Sequence, residues 1–119
     1  MSIQALYVQI SPNHLRIREV TSGKTSQAHA SDPFSTSRIL IGNFTLAQQT
    51  LAPLVASVAP SRLRSRFFLM HPMAMTDGGL SPVEERLFTE LAEACGARRV
   101  VLWLGPPLTD ADVSSRLQQ

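Results

Sequence analysis

Apolar and polar residues alternate along the first twenty positions. From Ala5 to Ile10, Leu6, Val8 and Ile10 fall on one side of an extended segment and Tyr7 and Gln9 on the other, the period-two pattern of a half-buried strand. Leu15 to Val20 repeats the pattern, with Leu15 and Ile17 in phase with Glu19 on one face and Arg16, Arg18 and Val20 on the other. Pro12-Asn13 between them suits a turn, because proline presets its backbone angle and asparagine tolerates unusual ones. The prediction is an antiparallel hairpin with one polar face. Thr21-Ser22-Gly23-Lys24 reads as a second turn into a weaker third strand over Thr25 to Ala30. Ser31 to Arg38, polar and holding Asp32-Pro33, reads as loop. Ile39 to Ile41 is a short apolar piece that periodicity leaves unassigned.

The spacing then lengthens. Leu51, Leu54, Val55 and Val58 recur at helical intervals within Phe44 to Val58, with Asn43 or Thr45 able to cap the start. Pro53 inside that run predicts a kink or a late start near Thr50, since an interior proline costs about 3 kcal/mol. Phe67 to Met70 is a continuous apolar run of the kind that forms a buried parallel strand. Ser81-Pro82-Val83-Glu84 is a capping box with proline at the first helical position. The helix it opens has Val83, Leu87, Leu91 and Ala94 as its expected inward stripe and Gly96 as its stop. Val100 to Leu104 is the next buried strand, and Thr109 or Asp110 caps a short last helix carrying Ala111, Val113 and Leu117. A hairpin followed by strand, helix, strand, helix spells a single α/β domain with a mixed sheet and packed helices.

Composition narrows the function classes. The chain has 119 residues, 44% hydrophobic and 17% charged, a globular balance with room for one core. Its single cysteine, Cys95, excludes an intrachain disulfide and a thiolate zinc site. No segment approaches the roughly 20 apolar residues of a membrane span, so a cytoplasmic location is expected. A net charge of +2 is too even to imply nucleic acid. Glu84, Glu85, Glu90 and Glu93 fit the outward face of an amphipathic helix better than an acid/base set. His14, His29 and His71 lack metal-ligand spacing, and His71 stands out only because it ends a predicted buried strand, where α/β sites tend to form. Cys95 beside a helix end fits a small core residue.

Leu80 to Val113, LSPVEERLFTELAEACGARRVVLWLGPPLTDADV, resembles the first half-domain of bacterial actin-like proteins of the MreB rod-shape type. The order of elements supports the likeness: a strand ending in proline (Phe67 to Pro72), a capped helix starting Val83-Glu84-Glu85-Arg86, a Gly96-Ala97-Arg98 turn, then Val100 to Pro107. The resemblance implies one actin-like, ribonuclease-H-like half-domain over residues 1–119. In that family the first turn, of D-L-G-T type, serves the ATP phosphates and metal. Here Gln9-Ile10-Ser11-Pro12 supplies no aspartate and no glycine, and proline removes an amide donor. The family's second phosphate loop and adenosine pocket have no counterpart within these residues. The hairpin is therefore expected to be structural, with no nucleotide, metal or other cofactor and no catalysis.

The expected function is a non-catalytic, degenerate actin-like half-domain in the bacterial cytoplasm, linked to cell shape or the cytoskeleton, that binds a protein partner or associates with itself. The alternative is a nucleotide or small-molecule binder that completes its site across a homodimer. Expected contact residues are Arg62 and Arg64 in the basic stretch SRLRSR, Met73 and Met75 in a glycine-containing loop, and Val113 and Leu117 on the last helix. Methionines suit an adaptable surface. Without interleaved aromatics the arginines do not favour single-stranded nucleic acid.

Overall fold

The computed structural model describes residues 3–61 and 63–119. It contains β1 (Ile3–Ser11), β2 (His14–Glu19), β3 (Lys24–His29), α1 (Phe44–Val58), β4 (Ser65–Pro72), α2 (Pro82–Ala94), β5 (Ala97–Leu102) and α3 (Asp110–Leu117). The strands form one five-stranded sheet in the order β3-β2-β1-β4-β5. β1, β2 and β3 pair antiparallel, while β4 joins β1 in parallel and β5 joins β4 in parallel. This is the mixed sheet expected from a hairpin followed by alternating strands and helices. Asn13 takes φ of 57° at the hairpin turn, as its side chain allows.

The two faces of the sheet are covered unequally. Leu6, Val8, Ile10, Leu15, Ile17, Phe68 and Met70 pack against α1, α2 and the loop residues Phe34, Leu40 and Ile41. The opposite face carries a smaller cluster in which Ala5, Tyr7, Val20 and Leu69 meet Val113 and Leu117 of α3. The alternation in β1 thus feeds two cores, and the unassigned piece around Leu40 belongs to the larger one. Arg18 ties β2 to the start of α3 through a two-pronged bond to Asp110, at 2.8 Å on each prong.

Local signals at the helix starts hold. Asn43 caps α1, Ser81 and Glu84 close the capping box of α2, and Thr109 and Asp112 close another at α3. Three expectations shift. α1 begins at Phe44 rather than near Thr50. Pro53 and Gln49, whose carbonyl loses its partner to the proline, both lie on the exposed side where water can bond instead. β5 begins at Ala97, ahead of Val100. The inward stripe of α2 is Phe88, Leu91 and Ala92, followed by Cys95, because the large Phe88 ring takes the core position. That rotation leaves Val83 69% exposed and Ala94 on the surface.

Candidate interaction groove and the opposite sheet edge

α1 and α2 both end where β4 and β5 begin. Between them lies an open groove of about 1060 Å³, walled by Ala52, Ala56 and Pro60 on one side and Ala94 to Arg98 on the other. Neither helix has a basic residue in its last turn, so the negative ends of both need a cation from elsewhere. Arg66 provides it. Its Nη2 donates to the Ala59 carbonyl at 2.8 Å and its Nη1 to the Cys95 carbonyl at 3.3 Å. Gly96 makes room for this, with φ of 90° and a position where an added Cβ would sit 3.1 Å from Arg66 Nη1. Beside Arg66 in the β1–β4 register lies the buried Gln4, whose Oε1 has no hydrogen-bond partner among the described residues.

A bulge shapes the groove's other wall. Arg66 pairs with Ala97 but Phe67 pairs with Arg99, so Arg98 is the extra residue on β5. The bulge breaks the strand's alternation, and the consecutive residues Ala97 and Arg98 both line the groove. Arg64 lines it as well, and among the described residues neither Arg64 nor Arg98 is held in an ion pair. Leu63, next to Arg64 in the chain and 98% exposed, lines the groove as well. The Cys95 thiol in the wall is pushed up to about 11 by burial, against the pull of nearby Arg66, so it stays protonated and is a poor nucleophile.

The opposite edge, at the C-terminal ends of β1, β4 and β5, has a different character. His71 is buried at the end of β4. Its Nε2 lies 2.9 Å from the Gly105 carbonyl and its Nδ1 2.6 Å from the Tyr7 hydroxyl. A carbonyl can only accept, so Nε2 carries the proton and Nδ1 accepts from Tyr7. Tyr7 in turn accepts from the Leu108 amide at 3.1 Å. Burial holds the His71 pKa below its usual value, with the Gly105 bond opposing. Gly105 sits at φ of 152°, and an added Cβ would strike the Trp103 ring at 2.7 Å. Trp103 is pinned by Pro106, which accepts its indole N–H, and by Arg116 stacked 3.8 Å from its ring centroid. The loop from Trp103 to Leu108 thus closes over His71. Both ring nitrogens are engaged, leaving no lone pair for a metal. Among the described residues no group of three or more His, Cys, Asp or Glu side chains is placed to hold a metal ion.

No family model matches the chain. A protein of Escherichia coli (strain K12), named uncharacterized protein YjaA, is 32% identical over 96 residues, spanning 75% of this chain and 74% of the relative. The chain belongs to the YjaA family.

In this YjaA-family chain the residues singled out from sequence scatter. Arg64 is exposed on the groove, and Arg62 lies outside the described residues. Met73 is 39% exposed at the far edge, near Gln9, whereas Met75 is half-buried against the larger core. Val113 and Leu117 were expected to face a partner but are fully buried on the sheet, because α3 folds back over Ala5, Tyr7 and Leu69 and uses its apolar face there. The hairpin turn is also spent internally. The Asn13 amide donates to Ser35 Oγ, and its side-chain oxygen accepts from the Ser35 amide. Sequence reasoning missed the work of Glu19, which is buried and accepts from the amides of Ala5, Thr21 and Ser22. Its signal was a carboxylate in phase with Leu15 and Ile17. Burial alone would raise the Glu19 pKa, but the bonds from Thr21 and Ser22 outweigh it and hold the group below the usual value. It also missed Leu63, whose signal was one leucine isolated among arginines. Among the described residues no helix is long and apolar enough to cross a membrane.

Proposed function

We propose that the protein is a non-catalytic interaction module that binds a protein partner through the groove at the start of β4 and β5. The observation that carries this reading is Leu63, 98% exposed in the lining of the arginine-containing groove. A leucine side chain gains about 1.5–3 kcal/mol when fully buried, and nothing in the chain's own fold collects that gain. Arg64 and Arg98 of the same lining, in no ion pair among the described residues, supply orientation. The groups that could do chemistry are otherwise occupied, His71 by Tyr7 and Gly105 and Cys95 by its buried wall position. With the actin-like resemblance of Leu80 to Val113, the bacterial cytoskeleton is the setting in which we place such a module.

The test is affinity capture from native cells with the parent chain and with a Leu63→Ser, Arg64→Ser double variant. Both positions are exposed, so the fold is expected to be unchanged. The expected result is a defined set of captured proteins that the double variant loses. An unchanged set, or one lost only when Met73 and Leu104 at the far edge are replaced, would sink the groove reading.

A further inference from the structure

We propose that the groove receives an acidic, leucine-rich or otherwise aliphatic peptide segment of its partner, with carboxylates on Arg64 and Arg98 and an apolar side chain between them beside Leu63. The proposal rests on the interaction-module reading above and names the partner's chemistry. Its first support is charge complementarity. The groove lining contains three arginines and no acidic residue. Arg66 is already bonded to two carbonyls, which leaves Arg64 and Arg98 as planar donor forks suited to carboxylates. The second support is the bulge that turns Arg98 into the groove beside Ala97, a device that re-aims a side chain at the expense of regular pairing. The third is the apolar part of the lining, where Ala52, Ala56, Pro60 and Leu63 offer contact to an aliphatic group.

Other occupants fit less well. No aromatic side chain lines the groove, so a nucleic acid strand would find nothing to stack its bases on. A second copy of this chain has few carboxylates to offer. Of its nine acidic residues, Glu19, Glu84, Glu90, Asp110 and Asp112 are already bonded within the fold.

Fluorescence anisotropy with labelled peptides tests this. The probes are peptides alternating Glu with Leu, the matching Lys-Leu peptides, and a labelled oligothymidine strand. The expected result is binding of the Glu-Leu peptides alone, weakened about tenfold or more, the equivalent of at least one interaction of ordinary strength, by Arg64→Glu with Arg98→Glu, and weakened by added salt. Leu63→Ser should weaken it as well. Because Arg64 and Arg98 are exposed, an unchanged urea midpoint is expected to show the variant folded. Three outcomes overturn the proposal: no binding of any Glu-Leu peptide, oligothymidine binding that the same double variant abolishes, or light scattering showing that the groove is covered by a second copy. If capture from cells depends on the groove while the captured partner's contact segment is not acidic, the interaction reading stands and this proposal alone fails.

Discussion

The two ends of the parallel strands handle polar groups in opposite ways. At the C-terminal end, Tyr7, His71, Gly105 and the Leu108 amide bond to one another beneath the Trp103 loop. At the N-terminal end, Arg66 is committed but Arg64 and Arg98 remain open beside a leucine in solvent. Ligands of open α/β sheets usually lie beyond the C-terminal ends of strands. In this fold the polar groups at that edge are bonded to one another, while unspent arginine donors and the most exposed large apolar side chain, Leu63, lie at the other. A buried polar network rigidifies when it is fully satisfied, so the first edge belongs to stability. The second is the edge we propose for recognition, because Arg64 and Arg98, unlike Arg66, are in no ion pair among the described residues and so contribute little to the isolated fold.

The largest effect that would break this division is at His71. His71→Ala strands the Tyr7 hydroxyl and the Gly105 carbonyl and leaves a cavity. Unsatisfied groups cost about 1–3 kcal/mol each and large-to-small core changes about 2–5 kcal/mol. The expected loss is roughly 3–5 kcal/mol, read as a fall in urea midpoint. Tyr7→Phe, which keeps the ring, should lose less. A His71→Ala protein of near-parental stability would show that the edge is not a structural seal.

A smaller effect separates the arginines within the groove. Arg66→Met keeps the aliphatic stem but leaves two helix-end carbonyls without their charged donor, and should cost about 1.5–3 kcal/mol. Arg64→Met should stay within about 0.5 kcal/mol, as surface changes do. Equal midpoints for the two variants would mean that Arg66 is no more a helix clasp than its neighbour.

The sequence was most legible where one signal decides one local bond. Ser81, Pro82 and Glu84 specified a helix start from side chains within a single turn, and Leu6, Val8 and Ile10 specified a strand face. It was less legible where two distant segments must meet. Nothing near Arg66 in the chain announces the carbonyls of Ala59 and Cys95, and nothing near Tyr7 announces His71. The phase of α2 slipped because Val83, Leu87, Leu91 and Ala94 are spaced as acceptably as Phe88, Leu91, Ala92 and Cys95, and only packing against the sheet chooses between them. Val113 and Leu117 were read as apolar residues in need of a cover, which they are. The cover is the second face of the chain's own sheet, and that face was visible only in the alternation of Ala5, Tyr7 and Leu69. Arg64 was picked from a charge run. The bulge that places Arg98 in the same groove depends on a register shift between β4 and β5 that no local pattern records.

The finest test of the comparison is pH. The folded pKa of His71 lies below its ordinary value of 6.5, with burial as the main cause. The unfolded chain therefore binds more protons than the folded one as pH drops below that ordinary value, so stability falls with falling pH in that window. Protonating Nδ1 would also remove the acceptor of the Tyr7 hydroxyl, so the seal itself is what titrates. Glu19 and Asp110, both held below their ordinary values of 4.5 and 3.8, add losses of the same sign only at lower pH. Their stabilisation is present above those ordinary values and disappears as pH falls through the depressed ones. Urea midpoints between pH 7 and pH 5 should thus decline in the parent, and the decline should flatten in His71→Gln, which keeps a donor and an acceptor but does not titrate. Acidic-peptide binding at the groove, whose lining does not include His71, should not follow the His71 titration as long as the protein is folded. A parental midpoint that is flat from pH 7 to pH 5 would remove His71 from the stability of this edge. A peptide affinity that tracked the His71 titration would couple the two ends of the sheet and undo their separation.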